Sequence, residues 1–252
     1  MIGNDMDVEQ AKKEAGIAAV QFVESGMYIG LGTGSTVKHT VIEIGRAIRE
    51  DGLEVTGVPT SIETEKLAIE HGIPLSNLTE LGGLDLVIDG ADEIDPSFNL
   101  IKGGGAALLR EKIVAQASNR MIVVADDTKQ VNQLGAFPLP IEITPFECED
   151  TLRRISDICG VPARIRAKMN PTWRERLESM DSDVDVPSHI TDNGNMIVDA
   201  GAGVPFIKDP ETIESQLLHL AGVVEVGIFA DMCDTVVLAG KSGVEILRLS
   251  DD

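Results

Sequence analysis

No run of roughly 18 or more apolar residues occurs anywhere in the 252 positions, so a membrane-spanning helix is not expected. The opening stretch MIGNDMDVEQAKKEAG shows no basic region followed by an apolar core, and the expectation is a cytoplasmic protein without a secretion signal. Cysteine is scarce. Cys148, Cys159 and Cys233 are odd in number and form no C-x-x-C pair, which argues against a disulfide framework or a structural zinc site and for small core residues or idle thiols. His39, His71, His189 and His219 are scattered, with none spaced i, i+4, so no metal site is expected. A G-x-S-x-G elbow is absent and Ser35 has no evident histidine partner, which removes serine-type nucleophilic catalysis. Basic residues number 21 against 42 acidic ones, and the net charge of -21 is spread along the chain. Nucleic acid is a poor partner for such a surface. Disorder is the usual alternative at high net charge, but 43% hydrophobic content and clear periodicity oppose it. The excess carboxylates instead suit a surface kept hydrated in concentrated salt, a halophile-like expectation.

What is present is an alternation of strand and helix patterns. Over residues 8–23 Ala15, Ala18 and Phe22 make an apolar helical stripe, while Lys12 and Lys13 near its start read from position alone as a solvated face. Residues 27–31 read as a strand, followed at once by Gly32-Thr33-Gly34-Ser35-Thr36 and a helical stretch over residues 36–49. Strand, glycine-hydroxyl loop and helix in that order make a phosphate cradle, because glycines expose backbone donors and Thr33, Ser35 and Thr36 add hydroxyls. A plain tight turn is the other reading. Lys38 is misplaced for a Walker A loop, and Gly30, Gly32 and Gly34 alternate rather than forming G-x-G-x-x-G. A second strand (residues 53–58) and helix (61–70, with Ser61 as N-cap) follow, then a short segment at 73–75.

The densest chemistry lies in residues 84–112, LDLVIDGADEIDPSFNLIKGGGAALLREK. Residues 84–88 suit a buried parallel strand, which puts Asp89 and Asp92 just past its carboxyl end, where open α/β sheets bind ligands. Gly103, Gly104 and Gly105 can bring bare N–H groups to an anion. The composition turns helical from Ala106, so those donors are expected to crown a helix N-terminus with Glu111 on its second turn. A carboxylate near others in a partly closed cleft has a raised pKa, which lets Glu111 accept and return a proton near neutral pH. Lys102 and the glycine amides would stabilise the resulting oxyanion. The chemistry is proton transfer on a phosphorylated metabolite, and it names no metabolite. The strand at residues 121–125 ends in Asp126-Asp127-Thr128-Lys129, which aims Lys129 at the same rim unless it is a plain surface lysine.

Composition shifts at Phe137-Pro138-Leu139-Pro140. Residues 141–198 alternate strand patterns around one helix at 147–159, the signature of a small α+β companion, and within them residues 169–189 read as a solvated excursion. The tail, with a helix at 211–220 and strands at 223–229 and 235–239, is expected to pack beside the main sheet. The fold class is therefore α/β: a mostly parallel sheet with helices on both faces, over residues 1–136, a small domain over 137–205, and a return over 206–252.

The segments GLGTGST, DLVIDGADEID, IKGGGAALLREKI, ADDTKQVNQLGAFPLPIEI, TDNGN and GVVEVGIFA, in that order, strongly resemble the ribose-5-phosphate isomerase A family. The resemblance implies a Rossmann-like main domain with an inserted lid, a homodimer or homotetramer, and interconversion of ribose 5-phosphate and ribulose 5-phosphate in the non-oxidative pentose phosphate pathway. It implies no metal and no organic cofactor, and a small-molecule sugar phosphate as partner, with no membrane or nucleic acid. Carried over by position, the general base is Glu111, the aspartates are Asp89 and Asp92, and the active-site lysine is Lys102. Substrate and phosphate contacts fall on Thr33, Gly34, Ser35 and Thr36, on Gly90 and Ala91, on Gly103, Gly104 and Gly105, and on Lys129 and Lys12. Residues 169–189 are longer than the family's usual connection, and DAGAGVPFIKDP departs from its common form, but no implied catalytic position lies in either. A sugar-phosphate deaminase, a lactonase and a non-catalytic sugar-phosphate sensor are the alternative classes.

Overall fold

The computed structural model describes residues 8–167 and 189–249; the excursion expected at residues 169–189 lies, apart from His189, outside them. The chain begins α1 (Val8–Ala18), β1 (Tyr28–Leu31), α2 (Val37–Asp51), β2 (Thr56–Pro59), α3 (Ile62–Glu70), α4 (Leu78–Leu81) and β3 (Leu86–Gly90). Short strands β4 (Glu93–Ile94) and β5 (Leu100–Ile101) lead into α5 (Leu108–Gln116) and β6 (Met121–Asp126). After β7 (Leu139–Ile143), α6 (Cys148–Cys159), β8 (Ala163–Ile165) and β9 (Met196–Ala200) come α7 (Pro210–Leu218), β10 (Val223–Val226), β11 (Ile228–Phe229), β12 (Thr235–Gly240) and β13 (Gly243–Arg248).

The main sheet has the order β13-β12-β6-β3-β1-β2, parallel throughout except for the β12–β13 hairpin. Its inner strands are buried at every position of β6 and β12, which is why they read as continuous apolar runs rather than alternations. Alternate side chains serve opposite faces. Ile88, Ile122 and Val124 pack with Ala11, Ala15 and Ile44 of α1 and α2, whereas Val87, Met121 and Val123 pack with Val114 and Phe229. From β1 the chain steps out to β2 and then returns to β3 on the other side of β1. That reversal opens a crevice at the carboxyl ends of β1 and β3, where a ligand site is expected on topology alone.

A second sheet, β10-β7-β9-β8, is antiparallel and packs Leu139, Ile141, Val198 and Val226 against Ile155 of α6 and Leu217 of α7. Residues 223–226 were expected beside the main sheet, but β10 pairs with β7, and only β12 and β13 return. An alternation of apolar residues marks a strand without saying which edge it joins. A third sheet, β11-β5-β4, joins the two larger ones and carries Lys102 at the exit of β5. The segment at 73–75 contributes one parallel bridge, Leu75 to Gly57, rather than a strand. Ser61 caps α3 as expected, accepting the Thr64 N–H at 3.0 Å. Among the described residues no helix is long and apolar enough to cross a membrane.

Candidate active site

β3 ends one pair of residues later than its apolar run suggested, so Asp89 lies inside the strand rather than after it, and only Asp92 is beyond its end. The strand persists because Asp89 and Gly90 still pair in register with Val123 and Val124 of β6. The Asp89 carboxylate is fully buried. Its Oδ1 accepts the N–H groups of Gly90 at 2.7 Å and Thr33 at 3.0 Å, while Oδ2 lies 3.0 Å from Lys102 Nζ. This packing explains Gly32: a Cβ there would sit 2.2 Å from Asp89 Oδ1.

Lys102 is buried to the same degree, donating to the Gly90 carbonyl at 2.6 Å and facing Glu111 Oε1 at 3.4 Å, with the ring of Phe229 5.3 Å away. Burial alone would strip its proton, but the carboxylates of Asp89 and Glu111 outweigh burial and hold the ammonium above its ordinary range. Glu111 is the converse case. Burial, then the charge of Asp89, pushes its carboxyl up to about 8 despite the opposing Lys102. Its Oε2 is buried without a hydrogen-bond partner among the described residues.

Glu111 stands in the first turn of α5, not the second, because the helix starts at Leu108. Gly103 at φ +102° and Ala106 at φ +61° make a separate turn, closed by the Ala106 N–H on the Gly103 carbonyl at 2.9 Å. The reversal out of β5 overrides the helical preference of Ala106 and Ala107. The glycine amides therefore belong to this turn and do not crown the helix. That of Gly104 is already engaged, donating to Asp92 Oδ2 at 2.7 Å. Burial raises the pKa of Asp92, and the Gly104 amide and Lys102 oppose the rise.

One cleft of about 130 Å³ gathers the remaining positions. Gly34, Ser35 and Thr36 line it from the N-terminal end of α2, and Gly90, Ala91 and Asp92 from the end of β3. Gly103, Gly104, Gly105 and Glu111 form the facing wall. Lys129, on the single turn after β6, and Lys12 of α1 complete the rim, Lys12 also pairing with Glu9 at 2.7 Å. Asp89 and Lys102 do not line the cleft but lie beneath it. Thr33 lines it too, yet its side chain offers no free donor. Its hydroxyl meets those of Thr60 at 2.7 Å, Ser61 at 2.8 Å and Thr64 at 3.1 Å, and its N–H is taken by Asp89.

Sequence reasoning missed that hydroxyl brace, although three of its members sit in TSIET directly after β2, where hydroxyls beside a strand end are a readable signal. It also missed Arg166 and Lys112, whose partners are distant in sequence. A larger cavity, about 690 Å³, opens among Ile94, Phe98, Val131, Pro205, Val236 and Leu247, with Asp95 as its one ionisable lining residue among those described. Asp95 is occupied by Ser97 and Asn99, so volume and chemistry point to different places and chemistry decides.

Comparison with known proteins gives the family. Residues 56–243 match the family described as Ribose 5-phosphate isomerase A (phosphoriboisomerase A). This chain belongs to the ribose 5-phosphate isomerase A family. A relative in Bradyrhizobium diazoefficiens, named ribose-5-phosphate isomerase A, is 46% identical over 246 residues, covering 96% of this chain and 97% of its own. Another member, from Methanothermobacter thermautotrophicus, is 44% identical over 237 residues, covering 94% of this chain and 97% of its own. Among solved structures, the Methanocaldococcus jannaschii ribose 5-phosphate isomerase superposes with a TM-score of 0.84 at 38% identity, over 96% of this chain and all of that one. A D-ribose-5-phosphate isomerase in complex with phospho-erythronic acid gives 0.87 at 39% identity, again over 96% of this chain and 100% of its own. The family resemblance read from the six sequence segments is thus borne out, and so is the α/β fold class.

Proposed function

We propose that this protein interconverts D-ribose 5-phosphate and D-ribulose 5-phosphate by proton transfer through a cis-enediolate, in the non-oxidative pentose phosphate pathway. The observation that carries the reading is Glu111: a buried carboxyl with one oxygen unpartnered, on the wall of the same cleft as the Gly34–Thr36 amides and Lys129. The phosphate docks at the open end of α2, whose amides and dipole favour an anion, and Lys129 and Lys12 offset the field of an acidic protein. Ring opening is assisted from the Asp89–Lys102 pair beneath the cleft. Glu111 then removes the proton from C2 of the open aldose and returns it at C1. The electron pair left by the C–H bond becomes the C1=C2 double bond while the carbonyl pair passes to O1. The O2 proton moves to O1, so that protonation at C1 leaves the ketone at C2, and the intervening enediolate is held by the Gly103–Gly105 turn and the Lys102 charge. Asp92 orients hydroxyls and yields the Gly104 N–H when the oxyanion forms. No metal or organic cofactor takes part. The small sheet acts as a lid over the cleft, and the working form is a homo-oligomer in the cytoplasm.

A direct isomerase assay on ribose 5-phosphate, run with and without chelator, tests the reading. Turnover is expected, unchanged by chelation. Binding of the sugar phosphate without turnover would favour the sensor class, and activity lost to chelator would remove the metal-free mechanism.

A further inference from the structure

Arg166, just past β8 in the small sheet, reaches across to the glycine turn of the main site. Its Nη1 donates to the carbonyls of both Gly103, at 2.9 Å, and Gly104, at 3.0 Å. The other side of the guanidinium is clamped by Asp199 of β9, which takes Nε at 2.9 Å and also accepts from Nη2. This fork geometry is one that arginine alone among side chains supplies. Arg166 does not line the cleft and meets the site through the Gly103 and Gly104 carbonyls.

A trans peptide points its carbonyl and its following N–H in opposite directions, and no cis peptide occurs among the described residues. Drawing the Gly103 and Gly104 carbonyls toward the small sheet therefore turns the N–H groups of Gly104 and Gly105 the other way. For Gly104 the result is visible: its N–H meets Asp92 Oδ2 on the cleft side. Glycine allows the close approach, since a Cβ on Gly104 would lie 2.5 Å from Asp92 Oδ1. A cation on the carbonyl side also polarises each amide and strengthens it as a donor.

We infer that Arg166 is a positioning residue of the isomerisation, aiming the Gly104 and Gly105 amides at the enediolate oxygens from the lid side. The inference rests on the proposed isomerase reading. It assigns the lid a share in stabilising the intermediate, beyond covering the cleft.

The test compares the wild type with Arg166→Met and Arg166→Lys by steady-state kinetics and by competition with inorganic phosphate and with phospho-erythronic acid, whose carboxylate resembles the planar intermediate. For Arg166→Met, kcat should fall roughly 10–100-fold, less than for loss of a direct oxyanion donor, while KM and phosphate inhibition stay within about twofold. Inhibition by phospho-erythronic acid should weaken in step with kcat. Arg166→Lys keeps the charge without the fork and should fall between the two, which keeps the inference testable if the methionine variant does not fold. Wild-type kcat in the lysine variant and in any folded methionine variant would overturn it, as would losses shared equally by KM and phosphate inhibition. A wild type without isomerase turnover would overturn the proposed function and this inference together; wild-type turnover with an unaffected Arg166 variant would overturn this inference alone.

Discussion

Glu111 and Lys112 are neighbours on α5, both buried and both in contact with ionisable partners, yet their surroundings differ in one respect that separates chemistry from architecture. The Lys112 ammonium has an acceptor for each of its donors: Glu214 at 2.5 Å, Glu225 at 2.8 Å and the Val226 carbonyl at 2.8 Å. It ties α5 to α7 and β10. Glu111 shares Lys102 with Asp89, keeps an oxygen unpartnered, and opens onto a cleft. A satisfied buried charge holds elements together, whereas an unsatisfied one beside a ligand site is available to react.

The comparison is broken most directly by exchanging what each residue can do. Glu111→Gln keeps the shape and removes the base, so kcat should drop roughly 100-fold to 10,000-fold with folding intact; steady-state kinetics and thermal unfolding check both halves. Lys112→Met should do the reverse. Unfolding in urea should show a loss of roughly 2–4 kcal/mol, below the full cost of breaking a buried pair because Glu214 and Glu225 keep some contact with water, while kcat per folded molecule stays near that of the wild type. A Lys112 variant that folds well but turns over slowly would erase the distinction.

Smaller effects sharpen it. A base with its pKa pushed up to about 8 is mostly unprotonated only above that value, so kcat/KM should climb with pH well beyond the ordinary glutamate range, pass half its maximum near pH 8 and level off about a unit higher. Stability has the opposite sign. Because the folded-state pKa of Glu111 lies above the ordinary 4.5, its contribution is fully present below about pH 4.5 and is lost as pH rises through about 8. Glu111→Gln lacks that loss. Its melting temperature relative to the wild type should therefore improve between pH 6 and pH 9, a shift that differential scanning calorimetry can read.

Much of this arrangement was legible in the chain. The apolar runs of β3 and β6 announced buried parallel strands, and the positions expected at the site converge on one cleft and its floor. Less was legible where a side chain's partner is remote. Thr33 looked like a free hydroxyl because Thr60, Ser61 and Thr64 come some thirty positions later, separated from it by 27, 28 and 31 residues. The helical start expected at Ala106 failed because local propensity cannot register that the chain must reverse there at a positive φ. β10 went to the wrong sheet for a related reason: the pattern VVEV carries no record of β7.

Exchange of the C2 hydrogen of ribose 5-phosphate in heavy water tests the central claim most directly, because it follows the proton rather than the product. The account predicts enzyme-dependent loss of that hydrogen with the wild type and a rate at least about 100-fold slower with folded Glu111→Gln. Exchange at the wild-type rate in that variant would contradict it.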